Sequence, residues 1–290
     1  MSAFVGLVLA VGCALTANVG FLFKHRGARS VAPVDMRHPL RCGRQLFGCK
    51  MFSIGMLVAC GSWLLHIGAM SFAPLSLVQA VLAGGVVLLA VMAERMFGVA
   101  IGRRQWVGLA AMAVGLVMLV VTLPAAHGAQ SQFSVPAMIA FEGGLVAAGS
   151  LLIMGPRVGA PSEHHGVMLA AASGFLFGVS DVAIKAISGM VGAHGLLGFA
   201  SPWTVVCVAA SIVAFFTSAK SFQDGEAVPV IAVTGTAANV AGIVGGIFVF
   251  GDPLSGDPLT LAAQCGAFVL VVLAAWMMPA PVRAMRPAAA

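Results

Sequence analysis

The chain has 290 residues, 60% of them hydrophobic and 8% charged, with a formal net charge of +6. A soluble domain carries roughly 25% charged residues, so this composition excludes an ordinary soluble protein. It indicates a single polytopic membrane domain, with no length left over for a soluble domain or a low-complexity segment. The positive charge does not point to nucleic acid, because the basic residues sit at the ends of apolar runs and form no solvated stripe with interleaved aromatics.

Runs of spanning length, about 20 residues for a hydrocarbon core of about 30 Å, recur along the chain between charge, Pro and Gly punctuation. They predict an all-α polytopic bundle of nine transmembrane helices at 3–23, 51–70, 75–93, 105–123, 135–154, 167–191, 199–219, 228–250 and 260–278. Helices are required because lipid cannot satisfy an exposed backbone. The first, MSAFVGLVLAVGCALTANVGFLF, lacks a positive leading region and a small-residue cleavage site, so it reads as an uncleaved span and not a signal peptide.

The basic residues orient these helices. Lys24, Arg26, Arg29, Arg37, Arg41 and Arg44 fall in the first connection, and Lys50 at the start of the next helix. If that connection is cytoplasmic, alternation places Arg95, Arg103, Arg104, Arg157, Lys220, Arg283 and Arg286 inside as well. The outer connections at 71–74, 124–134, 192–198 and 251–259 carry His127, His194, Asp252 and Asp257. The expected topology is an outer N-terminus and a cytoplasmic C-terminus, in the plasma (inner) membrane. Trp106, Trp203 and Trp276 fall near predicted membrane surfaces, where aromatic anchors gather; Trp63 lies deeper and reads as packing or lining. Cys13, Cys60, Cys207 and Cys265 lie in apolar runs as small hydrophobes. Cys42 and Cys49 have no metal-ligand spacing.

The fifth run, VPAMIAFEGGLVAAGSLLIM, stands unpaired between two sets of four. The first set, about 3–123, and the second, about 167–279, show the same order of events. SFAPLSLVQAV in the first corresponds to SFQDGEAVPVI in the second, and AERMFG to VFGDPLSG. Five crossings between equivalent helices turn one set upside down relative to the other. Such inverted repeats let secondary carriers alternate access around a midplane site.

At GFLFKHRGARS, at SWLLHIGAMSFAPLSLVQAVLAGGVVLLAVMAERMFG followed by QWVGLAAMAVGLVMLVV, and at GFLFGVSDVAIKAISG with AVPVIAVTGTAANVAGIVGGIFVFGDPL, the chain resembles the drug/metabolite transporter superfamily (EamA-like). It is most similar there to the nine-span NIPA-type branch, named for magnesium transporters. It differs from eukaryotic-like members in having Gln79 and Ala80 after SLV, where Thr or Ala and then Pro are common. The resemblance implies a membrane carrier.

Ionisable groups in a span cost roughly 2.5 to 3.5 kcal/mol at mid-helix, so each needs a partner or a purpose. Asp181 and Lys185, four apart on the sixth helix, share one face. They read either as a self-compensating pair or as a carboxylate that exchanges a proton or binds a cation when the Lys swings away. Glu142 on the connector has no intrahelical partner, and desolvation favours its neutral acid. It is a proton-coupling candidate or a protonated Glu bonded to a neighbouring helix. Asn18, His66, Gln79, Asn239 and Gln264 complete the polar set, as interhelical glue or substrate contacts. Asn239 is the strongest of them, in the small-residue stretch GTAANVAGIVGG.

Glu163, His164 and His165 read as a solvated inner loop, and Asp252 and Asp257 as a turn and a helix cap. No metal cluster, cofactor motif or catalytic constellation is legible. A magnesium site would need oxygen ligands, one or two carboxylates with retained waters.

The first reading is therefore a non-enzymatic secondary transporter moving a small metabolite, drug-like compound or cation by alternating access. A NIPA-type divalent-cation transporter is the alternative. From other classes come a membrane-embedded lipid-modifying enzyme and a non-transporting interaction module. The expected partners are the solute and membrane lipids; a homodimer is open.

Overall fold

A computed structural model describes residues 2–35, 38–72, 82, 85, 87–95, 101–122, 133–251 and 256–277. Regular structure among the described residues is entirely helical. In chain order it comprises α1 (Ser2–Arg29), α2 (Pro39–Gly48), α3 (Lys50–Phe72), α4 (described over 87–95), α5 (Arg103–Thr122), α6 (Val135–Ile153), α7 (His165–His194), α8 (Pro202–Asp224), α9 (Ala227–Phe250) and α10 (Pro258–Trp276). Five helical stretches are long and apolar enough to cross a membrane: Val8–Arg29, Val135–Ile153, Ser162–Val191, Pro202–Asp224 and Ala227–Phe250. Counting α2 with the first part of α3, bent by 91°, as one broken span makes six. The expected crossing at 75–93 lies mostly outside the described residues.

Local chemistry sets the helix ends. Ser134 Oγ accepts from Ala137 N ahead of Pro136, which opens α6. Gly251 closes α9 at φ 68°, the left-handed backbone that glycine adopts without a Cβ penalty. Asp257 Oδ2 takes both Thr260 N at 2.9 Å and Thr260 Oγ1 at 2.6 Å, capping α10 as the sequence suggested.

Two features of the first connection were not anticipated. The first helix continues past Phe23 to Arg29, and the basic stretch behind it folds into α2, nearly perpendicular to α3. Trp63 is 64% exposed, which departs from the packing reading and leaves the lining one.

Contacts at the helix ends establish direction. On one face, His25 Nε2 lies 3.1 Å from Gly225 O, Gln105 Nε2 donates to Glu226 Oε2 at 2.9 Å, and His165 Nδ1 sits 3.5 Å from Asp224 Oδ2. The end of α1, the start of α5, the start of α7 and the α8–α9 turn therefore meet there. On the opposite face, Ser134 N bonds Val249 O at 3.3 Å, and Gln264 Nε2 donates to Thr122 O at 2.9 Å. Successive long helices alternate in direction between these two faces.

Glycines bring helices together. A Cβ on Gly20 would lie 2.9 Å from Gly55 O, and one on Gly55 would lie 2.7 Å from Lys24 N, so α1 and α3 are in backbone contact. Across α7 and α9, a Cβ on Gly174 would lie 2.5 Å from Thr234 O. The main core joins Leu22, Leu46, Phe52, Leu109, Met112, Phe222 and Val230, drawn from both halves of the chain.

Candidate functional site

Three helices assemble the polar centre. On α6, Glu142 is 5% exposed, and its Oε1 has no hydrogen-bond partner among the described residues. An unmatched buried oxygen costs about 1 to 3 kcal/mol, which the fold must offset elsewhere. Glu142 stays buried because Met138 and Gly149, on the same side of α6, pack on α7. Met138 joins Val182, Ala183 and Ala186, and Gly149 lies against Ala172 and Leu176.

On α7, Asp181 is exposed although Ser180 and Val182 beside it are buried. Lys185, one turn on, lays its Nζ 4.2 Å from the centroid of the Phe250 ring, a cation–π contact that anchors the ammonium against the end of α9. Across from Asp181, α8 supplies Cys207 and Ser211. Ser211 Oγ donates to Ser180 Oγ at 3.0 Å, and Ser180 Oγ reaches Leu176 O at 3.1 Å and Cys207 O at 3.4 Å. Cys207 packs against the cluster of Met138, Val182, Ala183 and Ala186 that joins α6 to α7. Glu142 and Asp181 thus lie on the two helices, α6 and α7, that Cys207 of α8 packs against.

Sequence reasoning missed Cys207, Ser180 and Ser211. The i, i+4 spacing of Cys207 and Ser211 and the adjacency of Ser180 to Asp181 were the available signals. Towards the start of α8, an open cleft of about 360 Å³ is lined by Ile184, Ile187, Val191, Phe199, Thr204, Cys207 and Val208. Its walls are apolar apart from Thr204 and Cys207.

The remaining candidates are dispersed. Asn18 Nδ2 donates to Gly85 O at 2.8 Å, tying α1 to the chain leading into α4. Gln264 is buried in the α5–α10 contact, and its Oε1 is a second buried oxygen lacking a partner among the described residues. Asn239 is half-buried in the middle of α9; nearby, an ideal Cβ on Gly235 or Gly242 would meet open space. His66 lies on α3 with its side chain outside the description, and Gln79 and Asp252 lie outside the described residues. His165, expected in a solvated loop, begins α7 and contacts Asp224 and Ile153 O. Among the described residues, no group of three or more His, Cys, Asp or Glu is placed to hold a metal ion.

The face where α8 turns into α9 carries a second polar assembly. Gln223 accepts from Val34 N at 2.8 Å through Oε1 and donates to Ala28 O at 2.8 Å and Ala32 O at 3.1 Å through Nε2. Lys220 pairs with Asp224 at 3.0 Å. With His25 on Gly225 O and Gln105 on Glu226, three of the four residues from Gln223 to Glu226 are bonded to the first half of the chain.

No known protein-family pattern matches the chain, and no solved structure matches it. Among curated proteins it is similar to one from Arabidopsis thaliana described as a probable magnesium transporter, NIPA9. The two are 22% identical over 286 aligned residues, covering 93% of this chain and 80% of that protein.

Proposed function

We propose that this multi-pass membrane chain is a secondary transporter that moves a small cation across the membrane by alternating access. Two four-helix repeats, about 3–123 and 167–279, flank the connector α6 and place its N-terminus outside and its C-terminus in the cytoplasm. The observation that carries this reading is the similarity, over nearly the whole chain, to a protein named as a magnesium transporter.

Helix direction supports the inverted arrangement. α1 runs towards the face of the α8–α9 turn whereas its counterpart α7 runs away from it; α5 and its counterpart α10 are likewise opposed. Pairing supports it too, since α1 packs closely on α3 as α7 does on α8. The α8–α9 turn sits among the helix ends richest in Lys and Arg, which the positive-inside rule assigns to the cytoplasm. Bonded across to the first half, it forms the closed inner gate of the carrier.

Asp181 and Glu142 supply the charge. Asp181 is the open carboxylate that meets the cation, and Glu142 is the buried acid that takes up or releases a proton as the cavity changes sides. Magnesium, as the transported species, would keep most of its waters and need only one or two carboxylates, consistent with a site that lacks three protein ligands among the described residues. An organic cation is the second reading, favoured by the apolar cleft beside Cys207.

Purified protein in proteoliposomes decides between them. Influx reported by an enclosed magnesium dye, abolished by Asp181→Asn, is the expected result. Counterflow of a labelled organic cation without magnesium influx selects the second reading. Product formation from lipid with no flux of either solute would overturn the transporter assignment.

A further inference from the structure

We propose that α2 is an in-plane interfacial helix that holds anionic phospholipid headgroups on Arg41 and Arg44. Geometry is the starting point: α2 turns 91° from the spanning direction of α3 across the single residue Cys49, so it runs along the membrane surface at the face of the α8–α9 turn. Its pose is fixed on three sides. Cys42 Sγ and the Asp35 backbone bond in both directions at 3.2 Å, Gln223 holds Val34 N, and Ser53 Oγ donates to Phe47 O at 2.6 Å.

The faces of α2 are chemically distinct. Cys42 and Leu46 are buried on the core. On one flank Leu40 is 90% exposed, and Phe47 is half-exposed while stacking on Phe215. Arg41 and Arg44 occupy the remaining flank, both exposed. A tethered back, with Phe47, Leu40, Arg44 and Arg41 in that order around the exposed arc, is the pattern of a helix lying at the headgroup boundary. The alternative, in which α2 dips into hydrocarbon as part of a broken span, would strand two arginines in lipid.

Charge identifies the lipid. Arg26 and Arg29 at the end of α1 and Lys50 at the start of α3 are also exposed, and Asp35 is the one acidic residue between Lys24 and Lys50. Guanidinium groups recognise phosphate in paired hydrogen bonds, and clustered bases beside a span select anionic over zwitterionic surfaces. The occupant is thus an anionic phospholipid surface whose acyl chains meet Leu40 and Phe47.

The test uses the full chain in nanodiscs of phosphatidylcholine with and without phosphatidylglycerol. Phosphatidylglycerol should raise the apparent Tm, the rise should shrink with added salt, and native mass spectrometry should retain phosphatidylglycerol adducts. In Arg41→Gln/Arg44→Gln both the Tm rise and the adducts should disappear while the Tm in phosphatidylcholine alone is kept, since neither side chain packs in the core. Arg157→Gln, an exposed arginine on another connection, should keep the full response. A wild type indifferent to phosphatidylglycerol, or an equal loss in Arg157→Gln, would overturn the proposal.

Discussion

Gly27→Ala tests the α1–α3 crossing that anchors the first half of the bundle. A Cβ built on Gly27 would lie 2.5 Å from Phe52 N and 2.8 Å from both Phe52 Cα and Cβ. These atoms cannot swing aside as a side-chain tip can. Restoring a carbon contact of about 3.5 Å requires α1 and α3 to part by about 1 Å. Phe52 is fully buried and meets Phe47 at 5.8 Å and Phe215 at 5.9 Å edge to face, so the shift spreads into α2 and α8. Overpacking of this kind costs about 1 to 3 kcal/mol, offset by up to about 1 kcal/mol from replacing a helical glycine. At about 2 to 4 °C per kcal/mol, the apparent Tm should fall by several degrees. Gly61→Ala on α3 is the control, because nothing lies within 4 Å of its ideal Cβ; it should be neutral or slightly stabilising. Thermal unfolding in detergent, followed by a dye that reacts with newly exposed thiols such as Cys13 and Cys42, reads both variants. Equal Tm values for Gly27→Ala and Gly61→Ala would refute the close backbone approach.

Glu142→Leu removes a buried oxygen without a partner among the described residues and should raise stability by about 1 to 3 kcal/mol while abolishing transport, a separation readable by pairing thermal unfolding with liposome flux. Glu142→Gln should retain folding but flatten the pH dependence of flux; an unchanged profile removes this residue from proton coupling. Gln223→Ala deletes three hydrogen bonds between the α8–α9 turn and the α1–α2 connection, so a cysteine placed beneath the turn should label faster with an impermeant maleimide from the cytoplasmic side, and unaltered labelling argues against an inner gate. Thr260 holds the Asp257 carboxyl below its usual range through two hydrogen bonds. Because the folded value is depressed, that contribution is present above the unfolded value and is lost as pH falls through the folded one. The acid limb of a Tm–pH curve should therefore be shallower in Asp257→Asn than in the wild type.

Much of the helix pattern was legible because each apolar run had to be long enough for a bilayer and could satisfy its backbone only internally. Helices α5, α6, α7, α9 and α10 begin and end within a few residues of the punctuation that marked them. α2 was not legible as a span: Pro39–Gly48 is too short and too charged to cross, and only the packing of Cys42 and Leu46 shows which of its faces meets the core. The acids divided in the same way. Sequence alone identified Glu142 and Asp181 as costly groups in a span, since desolvation acts on any carboxylate there.

Whether each acid was enclosed depended on how its helix packs on its neighbours. Met138 and Gly149 seal Glu142 against α7, whereas the packing around α7 leaves Asp181 open. Composition and run length thus determined that this chain lives in a membrane as helices, because the transfer energetics of lipid act on each segment separately. Tertiary structure alone decided which helices touch, that Cys207 packs against the cluster joining α6 to α7, and that the α8–α9 turn is bonded to the first half. Those outcomes depend on glycine-permitted backbone approach and on hydrogen bonds between residues as far apart as Val34 and Gln223.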